Sequence, residues 1–242
     1  MNIIWHGQSL FELITAPAKN SFTRRSFASQ NLAGQVKIVI DPFSEEIGLK
    51  VPKLEADIVL VSHSHHDHNN VKAVSGSPSQ ISEKLGRASP FLISGPGEYE
   101  IKNVFIQGIA AFHDDKKGEA RGENTIYTIE AEDLKLCHLG DLGQKELSAE
   151  QLEKIAEVDI LMIPIGGTYT ISAKEALRIM SQIEPRITIP MHYALPKLKI
   201  KLDDLDKFLK SLGIKSIPAE NKLSIKKKDI SPEEAKIIVL KP

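Results

Sequence analysis

The chain has 242 residues, of which 41% are hydrophobic and 26% are charged, and its formal net charge is −1. This composition is typical of a globular protein with a substantial core, and the weak net charge argues against generic binding to nucleic acid or an anionic membrane, while leaving a small anionic substrate open. The single cysteine, Cys137, excludes an intramolecular disulfide and a four-cysteine zinc site, and no apolar run approaches the roughly 18–20 residues that span a bilayer.

Short apolar runs typical of β-strands dominate the first half of the chain. The predicted strands are Ile3 to Trp5, Leu10 to Ile14, Val36 to Ile40, Ile58 to Val61, Phe91 to Ile93 and Val104 to Phe112. Gly, Pro, Asn and Asp residues separate these runs, as in Ser94-Gly95-Pro96-Gly97. The first residues lack the basic start and the continuous apolar segment of a signal peptide, so we expect a cytoplasmic protein.

The second half begins with a predicted hairpin and then alternates strands with helices. The hairpin comprises Thr125 to Ile129 and Leu134 to Leu139, joined by a polar turn. The predicted helices are Ser148 to Glu157, Ser172 to Ile183 and Leu202 to Leu212. The remaining predicted strands are Val158 to Ile163, Arg186 to Ile189, a strand around Leu223 and Ile237 to Leu240.

This order of elements predicts two sheets packed face to face, with helices on their outer surfaces. No linker is long or polar enough to divide the chain, so we expect one domain over residues 1–242. Two lysine-rich segments, Pro196 to Lys201 and Lys226 to Lys228, are interpreted as solvated surface, with phosphate or nucleic-acid binding as the alternative.

The stretch VSHSHHDHNN after the predicted strand Ile58 to Val61 concentrates four of the eight histidines. Imidazole nitrogen and carboxylate oxygen suit zinc and similar divalent ions. His63 and His65 lie two residues apart at a strand end and can therefore contact one ion. Asp67 and His68 follow after the chain has begun to turn and can face a second ion, about 3.5–4 Å away as two-metal hydrolysis requires.

Further segments in the chain extend this pattern. They are WHGQS, GPGEYE, RGENTIY, HLGDLG, PIGGTYT and PMHY. Together with the H-x-H-x-D-H pattern, this set resembles the metallo-β-lactamase superfamily, and in particular a branch of metal-dependent hydrolases related to ascorbate-6-phosphate lactonase. The resemblance implies an α/β fold, the four-layer αββα sandwich, in agreement with the order of strands and helices.

The resemblance also implies two metal ions and their ligands. The first ion would be held by His63, His65 and His113, the second by Asp67, His68 and His192, and both by a bridging Asp141. Zinc suits this nitrogen-rich site best, with manganese or iron as alternatives.

The third ligand of the first ion can be argued in two ways from the residues. His138 and His113 are both candidates, but His138 and Asp141 on one strand would start on opposite faces, unless Gly140 bends the chain. The resemblance favours His113 and leaves His138 as a packed residue or a hydrogen-bonding partner of a ligand.

The implied activity is hydrolysis of a small-molecule ester, lactone or phosphoester. Asp67 and Asp141 would offset the metal charge and orient the nucleophile, while His66 would either hydrogen-bond a ligand or protonate the leaving group. The alternatives are a nucleotide or nucleic-acid phosphodiesterase and a non-catalytic metal-binding protein. The interval between Asp141 and His192 is too short for the domain that β-CASP nucleases carry there, which disfavours nucleic acid.

Other residues near these motifs have two interpretations each. Arg121 would clamp a carboxylate or phosphate, or form a structural ion pair. Tyr193 would donate to a substrate oxygen, or pack in the core. His6 and Gln8 are expected to shape a loop beside the site. The expected partner is a small-molecule substrate, with an anionic one among the candidates, and the sequence does not specify the oligomeric state.

Overall fold

A computed structural model describes residues 1–17, 34–77, 89–231 and 233–242. The strands are β1 (Asn2–Trp5), β2 (Phe11–Ile14), β3 (Lys37–Ile40), β4 (Leu54–Ala56), β5 (Ile58–Val61), β6 (Val74–Gly76), β7 (Phe91–Ser94), β8 (Gly97–Ile101), β9 (Val104–Phe112), β10 (Glu123–Ala131), β11 (Leu134–His138), β12 (Ile160–Pro164), β13 (Ile187–Met191), β14 (Leu223–Ser224) and β15 (Lys236–Ile237). The helices are α1 (Ala149–Ile155), α2 (Ala173–Ile183) and α3 (Leu205–Ser211), with short 3₁₀ turns at Glu45–Ile47, Val71–Ala73 and Lys227–Asp229.

These strands form two large sheets and a small ribbon. The first sheet has the order β14-β1-β2-β3-β5-β7, and the second has the order β15-β13-β12-β11-β10-β9-β8. In each sheet an antiparallel half continues into a parallel half, because β3, β5 and β7 are parallel, as are β11, β12, β13 and β15. The ribbon pairs β4 with β6.

Alternation along the strands explains how the first sheet separates two cores. Ile38 and Leu60 belong to the large core that also contains residues of the second sheet, such as Ile126. Val39 and Val59, one residue away from them in β3 and β5, belong to a smaller core on the opposite face. Since successive side chains of a strand point to opposite faces, the first sheet is covered on both sides.

The first two helices begin where the sequence predicts, and the third begins at Leu205 instead of Leu202. Ser148 and Ser172 each accept a hydrogen bond from the backbone of the third helical residue, and the Gln151 and Glu175 side chains bond back, which completes a capping box at α1 and α2. Helix α3 is shorter than predicted, because Asp204 caps it by accepting from the Lys207 backbone.

Three strands, β4, β6 and β8, are absent from the sequence prediction. Strand β8 is an edge strand whose residues Glu98 and Glu100 are exposed, so it lacks the apolar run on which the prediction depends. Strands β4 and β6 have three residues each, too few to show a pattern. The remaining predicted strands are confirmed to within a few residues, although the last is reduced to Lys236–Ile237 and a bridge at Leu240.

The topology brings several strand ends to one edge of the sandwich. Strands β3 and β5 run parallel in the first sheet, so the residues after Ile40 and Val61 emerge side by side. Strands β9, β11 and β13 run in one direction in the second sheet, so their carboxyl ends share an edge. In the described ranges, no helix combines the length and the apolar character needed to cross a bilayer.

Candidate metal centre

The histidine-rich segment forms a tight turn at the end of β5. The His68 backbone N–H donates to the His65 carbonyl at 2.9 Å, which closes the turn. The loop after β3 holds the turn from outside, since Ser44 N donates to the His66 carbonyl at 3.2 Å and Asn70 N donates to the Pro42 carbonyl at 2.7 Å. The turn is therefore fixed by backbone hydrogen bonds.

Residues from two sheets form a first group of imidazoles. The nitrogens of His63, His65 and His113, one from each ring, lie within 4.8 Å of one another. His113 follows the last residue of β9, and its ring centroid lies 4.8 Å from that of His63 and 5.1 Å from that of His65. His113, which the sequence alone left in competition with His138, lies in this group.

A second group adjoins the first and contains two carboxylates. It comprises Asp67, His68, Asp141 and His192, whose potential ligand atoms lie within 4.8 Å of one another. Gly140, at φ 56°, directs the chain so that Asp141 enters the group, and a Cβ there would overlap Asn124 and Ser62.

One carboxylate oxygen lies between the two groups. Asp141 Oδ2 is 3.1 Å from His192 Nε2, 3.2 Å from His68 Nε2 and 3.4 Å from His113 Nε2. Ligands bound to one ion at about 2.0–2.2 Å in tetrahedral geometry stand roughly 3.3–3.6 Å apart, close to these separations. Asp141 Oδ2 therefore lies where one oxygen could be shared between the two groups of candidate ligands.

The buried ring nitrogens fit the same interpretation. Within the part of the chain that the structure describes, His63 Nε2 and His68 Nε2 are buried without a hydrogen bond of regular geometry, although carboxylate oxygens lie 3.2 Å and 3.5 Å from His68 Nε2. Their other nitrogens are engaged, since His63 Nδ1 lies 2.9 Å from Ser62 Oγ and His68 Nδ1 lies 3.0 Å from Asp41 Oδ2. An outward bond of this kind orients a histidine so that its second nitrogen can bind a metal. The residues present thus fit a pair of divalent ions.

A shell of polar residues holds the two groups in place. Gln8 Nε2 donates to Asp67 Oδ2 at 2.9 Å, and Ser9 Oγ donates to Asp141 Oδ1 at 3.3 Å. Buried Asp41 accepts from both the backbone and the hydroxyl of Ser62 at 2.7 Å. Asn124 accepts from the Asp141 backbone at 3.0 Å.

Sequence reasoning assigned most of this shell no role. The sequence patterns assign no role to Asp41, Ser9, Ser62 or Asn124. The available signal was position: Asp41 follows β3 directly, and β3 is the parallel neighbour of β5, so the two strand ends meet.

Comparison with known proteins identifies the family. Residues 21–192 match the model of the beta-lactamase superfamily domain. A UPF0173 metal-dependent hydrolase of Pyrococcus horikoshii is 30% identical over 67% of this chain and 79% of that protein, and one of Thermococcus onnurineus is 29% identical over 69% and 81%. A crystal structure from Thermotoga maritima, assigned as a Zn-dependent hydrolase of the metallo-beta-lactamase superfamily, is 32% identical, with a TM-score of 0.70 over 99% of this chain and 97% of that one. The chain belongs to the metallo-β-lactamase superfamily.

Membership of the metallo-β-lactamase superfamily confirms the predicted α/β sandwich. It also accounts for the arrangement of the sheets, in which β5, β9, β11 and β13 deliver the candidate ligands to one edge.

The electrostatics of this metallo-β-lactamase site favour a bound cation. Burial opposes ionisation of Asp141, but the adjacent His192 and His68 hold the pKa of Asp141 well below its usual range. Burial acts against protonation of His68, yet Asp141, Asp67 and Asp41 raise the pKa of His68 well above its usual range. Burial and the neighbouring His68 lower the pKa of His63 to about 3, so its ring is neutral and offers a lone pair. Three carboxylates close together thus attract positive charge, which the His68 proton supplies without metal and a divalent cation would supply in its place.

Neither group contains His138, Tyr193 or His6. His138 is fully buried outside both groups, with Nε2 3.0 Å from the Ser9 carbonyl and Nδ1 accepting from the Gly140 backbone at 3.1 Å. Tyr193 belongs to the large core and packs against Trp5 with ring centroids 5.0 Å apart. His6 Nε2 lies 3.4 Å from Glu12 Oε2. These positions favour the packed interpretation of both His138 and Tyr193.

A cavity of about 590 Å³ opens onto the two groups. We call the candidate ligands the floor: His63, His65, Asp67, His68, His113, Asp141 and His192. We call four exposed residues that line the same cavity the mouth: Arg121, Tyr169, Lys199 and Lys201. His66 is exposed and also lines the cavity, so its imidazole can reach a bound molecule.

Proposed function

We propose that this protein is a metal-dependent hydrolase with two divalent ions, which acts on a small-molecule ester, lactone or phosphoester. One observation carries the proposal: side chains from four separate chain segments converge in two adjoining groups around Asp141 Oδ2. The names of the relatives support the hydrolase class.

His63, His65 and His113 would hold the first ion, Asp67, His68 and His192 the second, and Asp141 both. Two ions bound here would supply a hydroxide nucleophile near neutral pH and polarise the substrate oxygen that gains negative charge. Zinc suits the nitrogen-rich first group, with manganese or iron as alternatives.

The protein's own residues would then orient and assist the reaction. Gln8 fixes the Asp67 carboxylate and Ser9 fixes that of Asp141, so both acids face the cavity in a set direction. Exposed His66 would donate a proton to the leaving group from the cavity wall.

We also take residues 1–242 as one hydrolase domain. The Met1 ammonium donates to the Ile225 carbonyl at 2.8 Å, and β14 pairs with β1, so a strand from the second half of the chain extends the sheet that β1 begins. The Thermotoga maritima structure covers nearly the whole chain, which supports this proposal.

Metal analysis combined with a substrate panel tests the proposal. Protein purified without chelators should contain divalent ions and hydrolyse at least one of a set of generic esters, lactones and bis(para-nitrophenyl) phosphate. His63→Ala should lose both properties, whereas His6→Ala, which removes a histidine outside the floor, should keep them. A wild-type protein that refuses divalent ions, or that is as inert as His63→Ala over the whole panel, would overturn the proposal.

A further inference from the structure

The mouth of the cavity combines three cationic side chains with one aromatic ring. The acids that line the cavity are Asp67 and Asp141, and both face the imidazoles of the floor. Within the described residues, no carboxylate lies within 4.0 Å of the cationic nitrogens of Arg121, Lys199 or Lys201. Among the described residues, positive charge at the mouth is thus left without a carboxylate partner, and the guanidinium of Arg121 lies 3.5 Å from the Thr168 carbonyl.

Lys199 and Lys201 reach the cavity because their segment is anchored. Leu198 and Ile200 are partly buried against the smaller core, while the two lysines between and after them are exposed. The Lys199 backbone N–H donates to the Ile47 carbonyl at 2.8 Å and fixes the segment to the first 3₁₀ turn. The interpretation of this lysine-rich stretch as merely solvated surface is therefore too simple, since two of its side chains line the site cavity.

Arg121 is brought to the mouth by a different loop. The buried Asp114 carboxylate accepts from the backbone of Lys116, Gly118, Ala120 and Arg121 at 2.7–2.9 Å, which folds the loop between β9 and β10. The guanidinium carbon then lies 5.6 Å from the centre of the Tyr169 ring, within cation–π distance. The ring occupies one face of the guanidinium, and Nη2 donates to the Thr168 carbonyl at 3.5 Å, which leaves the other rim donors for a ligand.

We propose that Arg121, Lys199 and Lys201 bind an anionic group of the substrate, so that the substrate is a carboxylated or phosphorylated small molecule. This inference rests on the proposed hydrolase function and names the substrate class for the same site. Guanidinium and ammonium donors bind carboxylate and phosphate oxygens through charge-assisted hydrogen bonds. These three cations line one cavity in a chain of net charge −1, which fits a small anion better than a nucleic-acid strand.

A matched pair of substrates and a matched pair of variants test the proposal. The neutral ester is para-nitrophenyl hexanoate, and the charged ester of equal chain length is mono-para-nitrophenyl adipate. The test variant is Arg121→Gln/Lys199→Gln/Lys201→Gln. The control variant is Lys215→Gln/Lys222→Gln/Lys228→Gln, which removes the same charge from exposed residues that do not line the site cavity.

The test variant should lose on the order of tenfold in kcat/KM for the adipate ester and less than about twofold for the hexanoate ester, mainly through KM. The control variant should match wild type on both esters. Calorimetric titration with inorganic phosphate and with adipate should show weaker binding to the test variant alone, and it separates phosphate from carboxylate recognition.

Calorimetry also gives a result if neither ester is hydrolysed. Equal binding of phosphate and adipate by wild type and test variant would overturn the proposal, as would equal loss on both esters. Tight, salt-dependent binding of a single-stranded oligonucleotide that the test variant loses would also overturn it, in favour of a nucleic-acid substrate. Metal content, measured in the same preparations, reports separately on the proposed hydrolase function.

Discussion

The floor and the mouth of the cavity differ in how tightly the protein holds their side chains. In the floor, His68, Asp141 and His192 are at most 2% exposed, and Asp41 and Ser9 hydrogen-bond to two of them, although His65 is exposed. In the mouth, Lys199 and Lys201 are exposed and extend from an anchored backbone without a carboxylate partner among the described residues.

This difference suggests a division of labour. Groups that act on reacting atoms must be held within fractions of an ångström, which requires packing and a complete set of hydrogen bonds. Groups that bind a charged part of a ligand tolerate looser placement, because long side chains can adjust to it. We therefore expect changes in the floor to remove the reaction and changes in the mouth to alter the choice of substrate.

The largest effect should come from Asp141→Asn in the floor. The substitution keeps the shape of the side chain and removes the negative charge shared by both groups, so metal binding and hydrolysis should fall together. We expect kcat/KM to fall by more than the roughly 10–100-fold that is typical when a residue that hydrogen-bonds to a metal-binding side chain is replaced.

Thermal unfolding provides an independent measurement for Asp141→Asn. With free metal near 100 times Kd, a bound ion stabilises the folded state by about 2.7 kcal/mol, or about 5–10 °C in Tm for a domain of this size. Wild type should show a shift of this size on addition of chelator, and the variant a much smaller one. A variant that keeps both its metal and its activity would contradict the assignment of Asp141.

A smaller effect is expected for Asp41→Asn. Asp41 contacts the floor residue His68 but is not itself a candidate metal ligand. The Asp41 carboxylate accepts from the Ser62 backbone and hydroxyl and lies 3.0 Å from His68 Nδ1, and an amide nitrogen would face one of these donors. Burial opposes its ionisation, but His68 lowers the pKa of Asp41, so the charged form is the one that orients the ring. Metal affinity, measured by competition with a chromogenic chelator, should fall about 10–100-fold.

Asp159→Asn is the matched control for Asp41→Asn. Asp159 is also a buried carboxylate with backbone and side-chain donors, Lys135 and Lys227, but it does not line the site cavity. Equal metal affinity of the two variants would show that Asp41 does not act through His68.

The two regions also differ in how well the sequence predicts them. The six residues from His63 to His68 carry most of the ligand pattern locally, so the seven floor residues could be named in advance, although their metal binding remains a proposal. The partners of the floor come from distant segments: Gln8 and Asp67 are 59 residues apart, and Ser9 and Asp141 are 132 apart. Such contacts depend on tertiary packing, which residue patterns do not contain.

The mouth shows the same limit in another form. Lys199 and Lys201 alternate with Leu198 and Ile200, but the sequence does not say which surface the exposed side of the segment faces. Likewise, edge strand β8 was not predicted because its exposed glutamates hide the strand pattern, whereas the buried strand β5 was predicted with its observed bounds.

The smallest effect is expected for Asp114→Asn, because Asp114 holds the loop that carries Arg121 to the mouth. This substitution is also the most specific test of the division of labour between floor and mouth. Burial opposes ionisation of Asp114, but the backbone N–H groups of the loop, that of Arg121 foremost, lower its pKa to about 2, so it is charged at neutral pH. Asparagine has one acceptor oxygen for four donors, and the loop that carries Arg121 should loosen. We expect kcat/KM for mono-para-nitrophenyl adipate to fall about two- to fivefold, while para-nitrophenyl hexanoate and metal content stay unchanged.

Asp115→Asn is the control for Asp114→Asn, because Asp115 is the exposed neighbour in the same loop and pairs with Lys145 at 2.6 Å. It should leave both esters unaffected. His113 immediately precedes Asp114, so a loosened loop could instead displace a floor residue, and the variant would then lose metal and slow on both esters alike. That outcome would show that the floor and the mouth do not act independently, because the loop that holds Arg121 would also hold His113.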